Sequence, residues 1–245
     1  MPSATISGST MPNDILPDWE DVLSSAAHLQ RILPDAVLVG GTASALYAGH
    51  RLSVDADHVV TDLRERFDQV LAQLESIAGW KTARVRRPVQ ILGSLDGIET
   101  GVRQLIRKEP LETAQIDILG QKLTVPTEAE ILRIKGILIL KRNATRDYLD
   151  FVALANRMGA EEVAAALRDF DRLYPQPNDE SALQQLQIQL GNALPYDLEE
   201  VNLAEYKHLD PQWQDWQKVK SACLGLATLI FDQIIGPDDH LDFHP

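Results

Sequence analysis

The stretch LVGGTASALYAGHRLSVDADHVV, residues 38–60, decides both how this chain begins to fold and where its chemistry sits. An apolar run ends in two glycines, and thirteen residues later Asp55 and Asp57 flank a single alanine ahead of more apolar sequence. DAVLVGG reads as a short buried strand, TASALYAG as a short helix with Thr42 as its N-cap, and LSVDADHVV as a second, alternating strand. Residues i and i+2 of a strand point the same way, roughly 6.5–7 Å apart, so Asp55 and Asp57 share a face. Two ionised carboxylates so placed repel, and one is driven toward protonation unless a cation intervenes. Mg²⁺ suits them, because it takes one or two carboxylates together with substrate phosphates and water. Gly40 and Gly41 let the backbone pass close to a ligand, and the N–H groups that open the next helix favour phosphate. Ser53, two residues before Asp55, faces the same side.

Outward from this unit, residues 17–33 have helical spacing of apolar positions, and residues 62–78 form a second amphipathic helix. Extended runs follow near 81–87, 89–94 and 98–106, then the strand AQIDIL, with GQKLTVP closing a hairpin upon it. Asp117 lies mid-strand in QIDIL; if that strand neighbours Asp55 and Asp57, three carboxylates converge and could hold two metal ions. From Thr127 the pattern becomes helical: TEAEILRIKGILILKR opens with a capping signature, TRDYLDFVALANRMG ends at Gly159, and three further helices follow. The reading is therefore an α+β chain. A lead-in over 1–14 precedes a mixed-sheet domain over 15–126 and an all-helical region over 127–245.

Composition narrows the classes. The 245 residues suffice for a sizeable core, and the single Cys223, on an apolar helix, excludes an internal disulfide and fits a reducing cytoplasm. No apolar segment is long enough to span a membrane, and MPSATISGSTMPND lacks the basic start and apolar core of a signal peptide, reading instead as disordered. A net charge of -13 argues against a broad basic surface for nucleic acid. Positive charge is nevertheless concentrated locally, in KTARVRR (81–87) and at Arg103, Arg107 and Lys108.

The G-G turn, the D-x-D pair and the later isolated strand aspartate resemble the nucleotidyltransferase superfamily that includes DNA polymerase β. More narrowly, GGTASALYAGHRLSVDAD resembles the AbiEii/AbiGii-type nucleotidyltransferase toxin family, and LRIKGILILKRNATRDYLDFVAL is similar to that family's helical motif, a lysine followed by R-x-x-x-R-D-x-x-D. The resemblance implies a polymerase β-like mixed sheet with flanking helices. It implies Gly40, Gly41, Thr42 and Ser53 on the triphosphate, and Asp55 and Asp57 on two Mg²⁺ ions. Asp117 would be a third metal ligand or a base, Lys135 would sit beside the nucleotide phosphates, and Asp147 near the active site. The implied reaction transfers NMP from an NTP to a hydroxyl of RNA, protein or a small molecule, in a toxin–antitoxin or phage-defence setting with a cognate antitoxin. Two rivals are an antibiotic-type small-molecule nucleotidyltransferase and a catalytically inactive nucleotide-binding or protein-interaction module. Departures from the pattern are His58 after the D-x-D pair and a second glycine in place of a serine hydroxyl, which Thr42 would replace. On residues alone, Lys135 equally reads as a snorkelling residue, Asp150 as charge complementing a helix dipole, and His50 and His58 as satisfied hydrogen-bonding side chains.

Overall fold

The computed structural model describes residues 18–236; the lead-in over 1–14 and the acidic end of the chain lie outside the described residues. Helix α1 (Trp19–Ile32) buries Val22, Leu23, Ala26 and Leu29 along one stripe, with Glu20 and Asp21 in its first turn and Arg31 in its last complementing the helix dipole. Strand β1 (Val37–Leu38) leads directly into α2 (Gly40–Ala48), and β2 (Asp55–Val60) returns antiparallel to β1. Then come α3 (Leu63–Glu75), β3 (Trp80–Arg86), β4 (Gln90–Leu95) and β5 (Ile98–Gln104). The five strands form one sheet in the order β1-β2-β5-β4-β3, in which only the β2–β5 pair is parallel. Strands β6 (Thr113–Ile118) and β7 (Gln121–Pro126) make a separate hairpin. It is tied to α1 where Gln30 Nε2 donates to the Thr124 carbonyl at 2.7 Å and Gln30 Oε1 accepts from the Thr124 N–H at 2.8 Å.

Strand alternation fixes the two faces of the sheet. Trp80, Ile91, Leu95, Val102 and Val60 turn to one side and pack with Leu29 and Leu33 of the α1 region and Leu63, Phe67, Val70 and Leu74 of α3. Asp55 and Asp57 turn to the other. The second half builds its own core from α4 (Glu128–Arg142), α5 (Thr145–Met158), α6 (Ala160–Leu167), α7 (Phe170–Leu173), α8 (Ala182–Gly191) and α9 (Trp216–Ile230). Ala43 of α2 belongs to that helical core, so the glycine turn is anchored on both halves.

Three local expectations are corrected. Helix α2 begins at Gly40 with Val39 in the N-cap position, and Thr42 is inside the helix, its hydroxyl donating to the Asp55 carbonyl. The left-handed φ of +76° at Gly40 lets the chain turn from strand to helix without a capping side chain. The first of the three further helices expected after Gly159 is broken into α6 and α7 around Arg168 and Asp169. The last helix starts at Trp216, because Asp210 and Asp215 each cap a separate helical piece.

His58 alternates to the buried face and is fully enclosed, with neither ring nitrogen hydrogen-bonded among the described residues. Burial lowers its pKa from 6.5 to about 4. The unfolded chain therefore binds a proton between these values that the folded chain refuses, and stability falls as pH drops through that window, by about 3 kcal/mol in total. Urea unfolding of the wild type and of His58→Leu at neutral pH and near pH 4.5 checks this: the leucine variant should lose less stability on acidification.

Candidate active site

The site forms where the glycine turn meets the start of β2. The Val39 N–H donates to the Asp57 carbonyl at 2.8 Å, clamping the turn against the strand that carries both carboxylates. No side chain caps the N-terminus of α2, so its first N–H groups remain for a ligand. A Cβ on Gly41 would lie 2.5 Å from Arg51 Nη2 and 2.7 Å from Ser53 Oγ, so only glycine admits the guanidinium and the hydroxyl this close to the turn. Ser53 Oγ donates to Asp55 Oδ1 at 2.6 Å. Asp57 Oδ1 lies 3.5 Å from Arg103 Nη2, on the neighbouring strand β5. Burial raises the Asp57 carboxyl above its ordinary value; Arg103 opposes this and Asp55 adds to it.

These donors fit a divalent cation. Asp55, Asp57 and the Ser53 hydroxyl are hard oxygen ligands, with the two carboxylates only partly buried and on one strand face. Asp117 is not in this group. The strand beside β2 is β5, which sets Glu99 across from Asp55 and Gly101 across from Asp57. Asp117 is on the β6–β7 hairpin, exposed and paired in register with Lys122. Among the described residues no three His, Cys, Asp or Glu side chains come together closely enough to hold a metal.

Behind the turn lies a buried hub of charge. Asp150, fully enclosed in α5, accepts from Arg51 Nε at 2.8 Å and Nη2 at 3.1 Å, and lies 2.8 Å from His50 Nε2 and 2.7 Å from Lys135 Nζ. Burial alone would raise the Asp150 carboxyl; Arg51, Lys135 and His50 outweigh it and hold it well below the usual range. Asp147, one helical turn earlier, lies 3.6 Å from Lys135 Nζ and is gripped by Arg142 through Nε at 2.5 Å and Nη2 at 2.7 Å. Arg51, Lys135 and Arg142 thus share two carboxylates, leaving one positive charge in excess, and Arg51 is close enough to Asp55 to be attracted by it. Lys135 and Asp147 are inside the protein at 1% and 0% exposure, so they shape the site through partners.

The segment between α8 and α9, residues 192–215, wraps back over this hub. Leu52 N–H donates to the Lys207 carbonyl at 2.9 Å and Asp210 N–H to the His50 carbonyl at 2.7 Å, and Arg51 lies over the Tyr206 ring at 5.8 Å. Sequence reasoning missed Asp150 as the centre of the hub, though the i, i+3 aspartates of RDYLD were its visible signal. Arg103 as the Asp57 partner had no local signal, because the pairing depends on β5 lying beside β2, whereas Arg142 and Asp147 are only five residues apart across the α4–α5 turn. Gly41→Ala should push Arg51 and Ser53 aside and weaken nucleotide binding at least tenfold, which titration with an NTP and Mg²⁺ would measure.

A glycine turn at an uncapped helix, a D-x-D strand and a hub that fixes a guanidinium beneath them define the nucleotidyltransferase class. The chain belongs to the AbiEii family: the family model, described as nucleotidyl transferase AbiEii toxin of a type IV toxin–antitoxin system, matches residues 22–237. The chain is 30% identical over 248 residues to the heme uptake protein MmpL11 of Mycobacterium tuberculosis, covering 88% of this chain and 23% of that protein. It is 32% identical over 130 residues to the mycolic acid-containing lipids exporter MmpL11 of Mycolicibacterium smegmatis, covering 52% and 13%. The chain thus spans less than a quarter of the length of these relatives. The crystal structure of JHP933 from Helicobacter pylori is similar at a TM-score of 0.49 and 18% identity, covering 86% of this chain and 92% of that one.

Proposed function

We propose that this chain transfers NMP from a nucleoside triphosphate to a hydroxyl acceptor, with release of pyrophosphate and with Mg²⁺ held by Asp55 and Asp57, as the toxin of a toxin–antitoxin pair. The observation that carries the reading is the shared strand face of the two carboxylates against the glycine turn, where Gly41 admits Arg51 and Ser53. The proposal needs two carboxylates; Asp117, on its own hairpin, receives no metal role. When bound, the cation supplies charge neutralisation on the triphosphate and acidifies the acceptor hydroxyl. Gly40, Gly41 and Thr42 present helix N–H groups to the phosphates, while Ser53 orients Asp55 through its hydrogen bond. Arg51, fixed by Asp150, places a permanent positive charge beneath the turn, where charge builds up during phosphoryl transfer. Lys135 and Asp147 keep that arrangement rigid from behind. A cytoplasmic location fits the NTP requirement and the single, buried thiol of Cys223, and among the described residues no helix is long and apolar enough to cross a membrane.

The test is transfer of α-labelled nucleotide, with each NTP and Mg²⁺, into the RNA and protein fractions of a lysate, beside Asp55→Ala/Asp57→Ala protein. Label in one fraction that disappears with the double variant supports the reading. Equal labelling by the variant sinks it.

A further inference from the structure

We infer that the outward face of α8 and α9 is where a second copy of this chain docks, with the two α9 helices crossing at Gly225 about a two-fold axis. The inference is independent of the proposed transfer reaction and uses none of its residues.

Gly225 carries it. This residue is inside α9 and exposed, and its φ is not left-handed, so no turn requires a glycine here. A Cβ built on it would meet nothing within 4 Å among the described residues, so packing within the chain does not require one either. The interior glycine of α4 is the contrast: a Cβ on Gly136 would lie 3.0 Å from Leu186 and 3.1 Å from Phe170, and the helical core accounts for it. Glycine inside a helix is destabilising relative to alanine, and close approach of another backbone is what gives it a use.

Around Gly225 the face is apolar. Helix α9 buries Val219, Cys223, Ala227 and Ile230 on one side and exposes Ser221, Leu224, Gly225 and Thr228 on the other, with Phe231 directly after its last residue. Leu224 and Phe231 are each 54% exposed and two helical turns apart. Thr228 between them donates to the Leu224 carbonyl at 3.1 Å, which satisfies its hydroxyl inside the helix. Helix α8 lies alongside, where a Cβ on Gly191 would touch Ala227 at 3.9 Å, and it adds Ile188 at 69% exposure. Single apolar side chains are ordinary on a surface, but these lie on two adjacent helices.

The charge selects the occupant. Neither 181–196 nor 221–231 contains a charged residue, in a chain in which 24% of residues are charged. Two copies with a net charge of -13 repel over most of their surfaces, so they can meet closely only where that charge is absent. A basic partner would dock against the acidic surfaces instead. A two-fold contact also lets a single glycine position serve both copies, because the same patch meets itself. Helix α9 is 15 residues long, about 22 Å, and with α8 beside it the face is about 20 Å wide. Two such faces bury roughly 900 Å² in flat projection, at the low end for a specific interface, so the dimer is weak and concentration-dependent.

Sedimentation equilibrium of the full chain, from about 1 μM to about 1 mM, measures the dissociation constant of the dimer. Wild type is compared with Leu224→Gln/Phe231→Gln, with Gly225→Gln, and with Ile106→Gln, a control that removes a 95% exposed apolar side chain from the first half of the chain. Wild type should pass from monomer to dimer within this range. Both face variants should associate at least tenfold more weakly, and the control should match wild type. Gly225→Gln has a second readout. Glutamine favours helix more than glycine does, so its thermal melt at dilute, monomeric concentration should be unchanged or higher while its association is weaker. Wild type that stays monomeric throughout overturns the inference, as does association of a stoichiometry other than two, unchanged association in Gly225→Gln, or an equal loss in the control. A lowered melt in both face variants also overturns it, because the face then belongs to the fold of the single chain.

Discussion

Asp57→Asn should lower the rate of nucleotidyl transfer by on the order of 10³-fold while leaving the fold intact, as read by single-turnover kinetics and thermal melting. The side chain is partly buried, at 28% exposure, and its only ion-pair partner, among the described residues, is the more accessible Arg103 at 3.5 Å. Nothing in the core depends on its charge. An amide keeps its shape but withdraws half of the anionic donor set. Asp57 is also held above its ordinary pKa by burial and by Asp55, against Arg103, so protons compete with the cation for this carboxylate. The Mg²⁺ concentration needed for half-maximal rate should therefore rise as pH falls toward the titration of Asp57. A variant that retains transfer within tenfold of wild type would remove the carboxylate pair from the chemistry.

Asp150→Ala should have the opposite profile, with stability lost first. The carboxylate is fully enclosed and holds Arg51, Lys135 and His50 together; removing it strands two buried cations with one fewer counter-charge. Breaking a buried pair from one side costs about 3–5 kcal/mol, which in a chain of this size lowers Tm by about 10 °C or more. The sign with pH follows from the direction of its shift. Because its folded pKa is depressed, its contribution is fully present above the ordinary carboxylate value and is lost as pH falls below it. Asp150→Asn, which preserves volume, should recover part of the stability but not the charge balance, and its transfer rate should remain low because Arg51 is no longer fixed under the glycine turn. A thermal melt superimposable on wild type for Asp150→Ala would show that the hub does not hold the site together.

The strand–helix–strand core was legible because its signals are local: period-two alternation, a glycine pair and a D-x-D spacing all act within residues 38–60. The hairpin of β6 and β7 was visible for the same reason. What was not legible was which strand lies beside which. QIDIL and β5, which ends at Gln104, both read as extended runs, and only the tertiary packing that places Val102 against α3 decides that β5, and not β6, pairs with β2. The role of Asp150 was hidden in the same way: a helical aspartate can complement a dipole or bind a guanidinium, and the choice depends on a loop 99 residues earlier.

The strap over the glycine turn has a consequence for the timing of assembly. Arg51 emerges early in synthesis, but its anchoring carboxylate comes 99 residues later, and the backbone groups that clasp its loop, at Lys207 and Asp210, come later still. A nascent chain still on the ribosome has its glycine turn and carboxylate pair without the clasp that sets the guanidinium. Long-range closure of this kind is slow compared with forming the local strand–helix unit. The protein thus carries a built-in delay between forming the glycine turn with its carboxylate pair and fixing the guanidinium beneath it, and a product cut short before residue 207 would be released without the clasp.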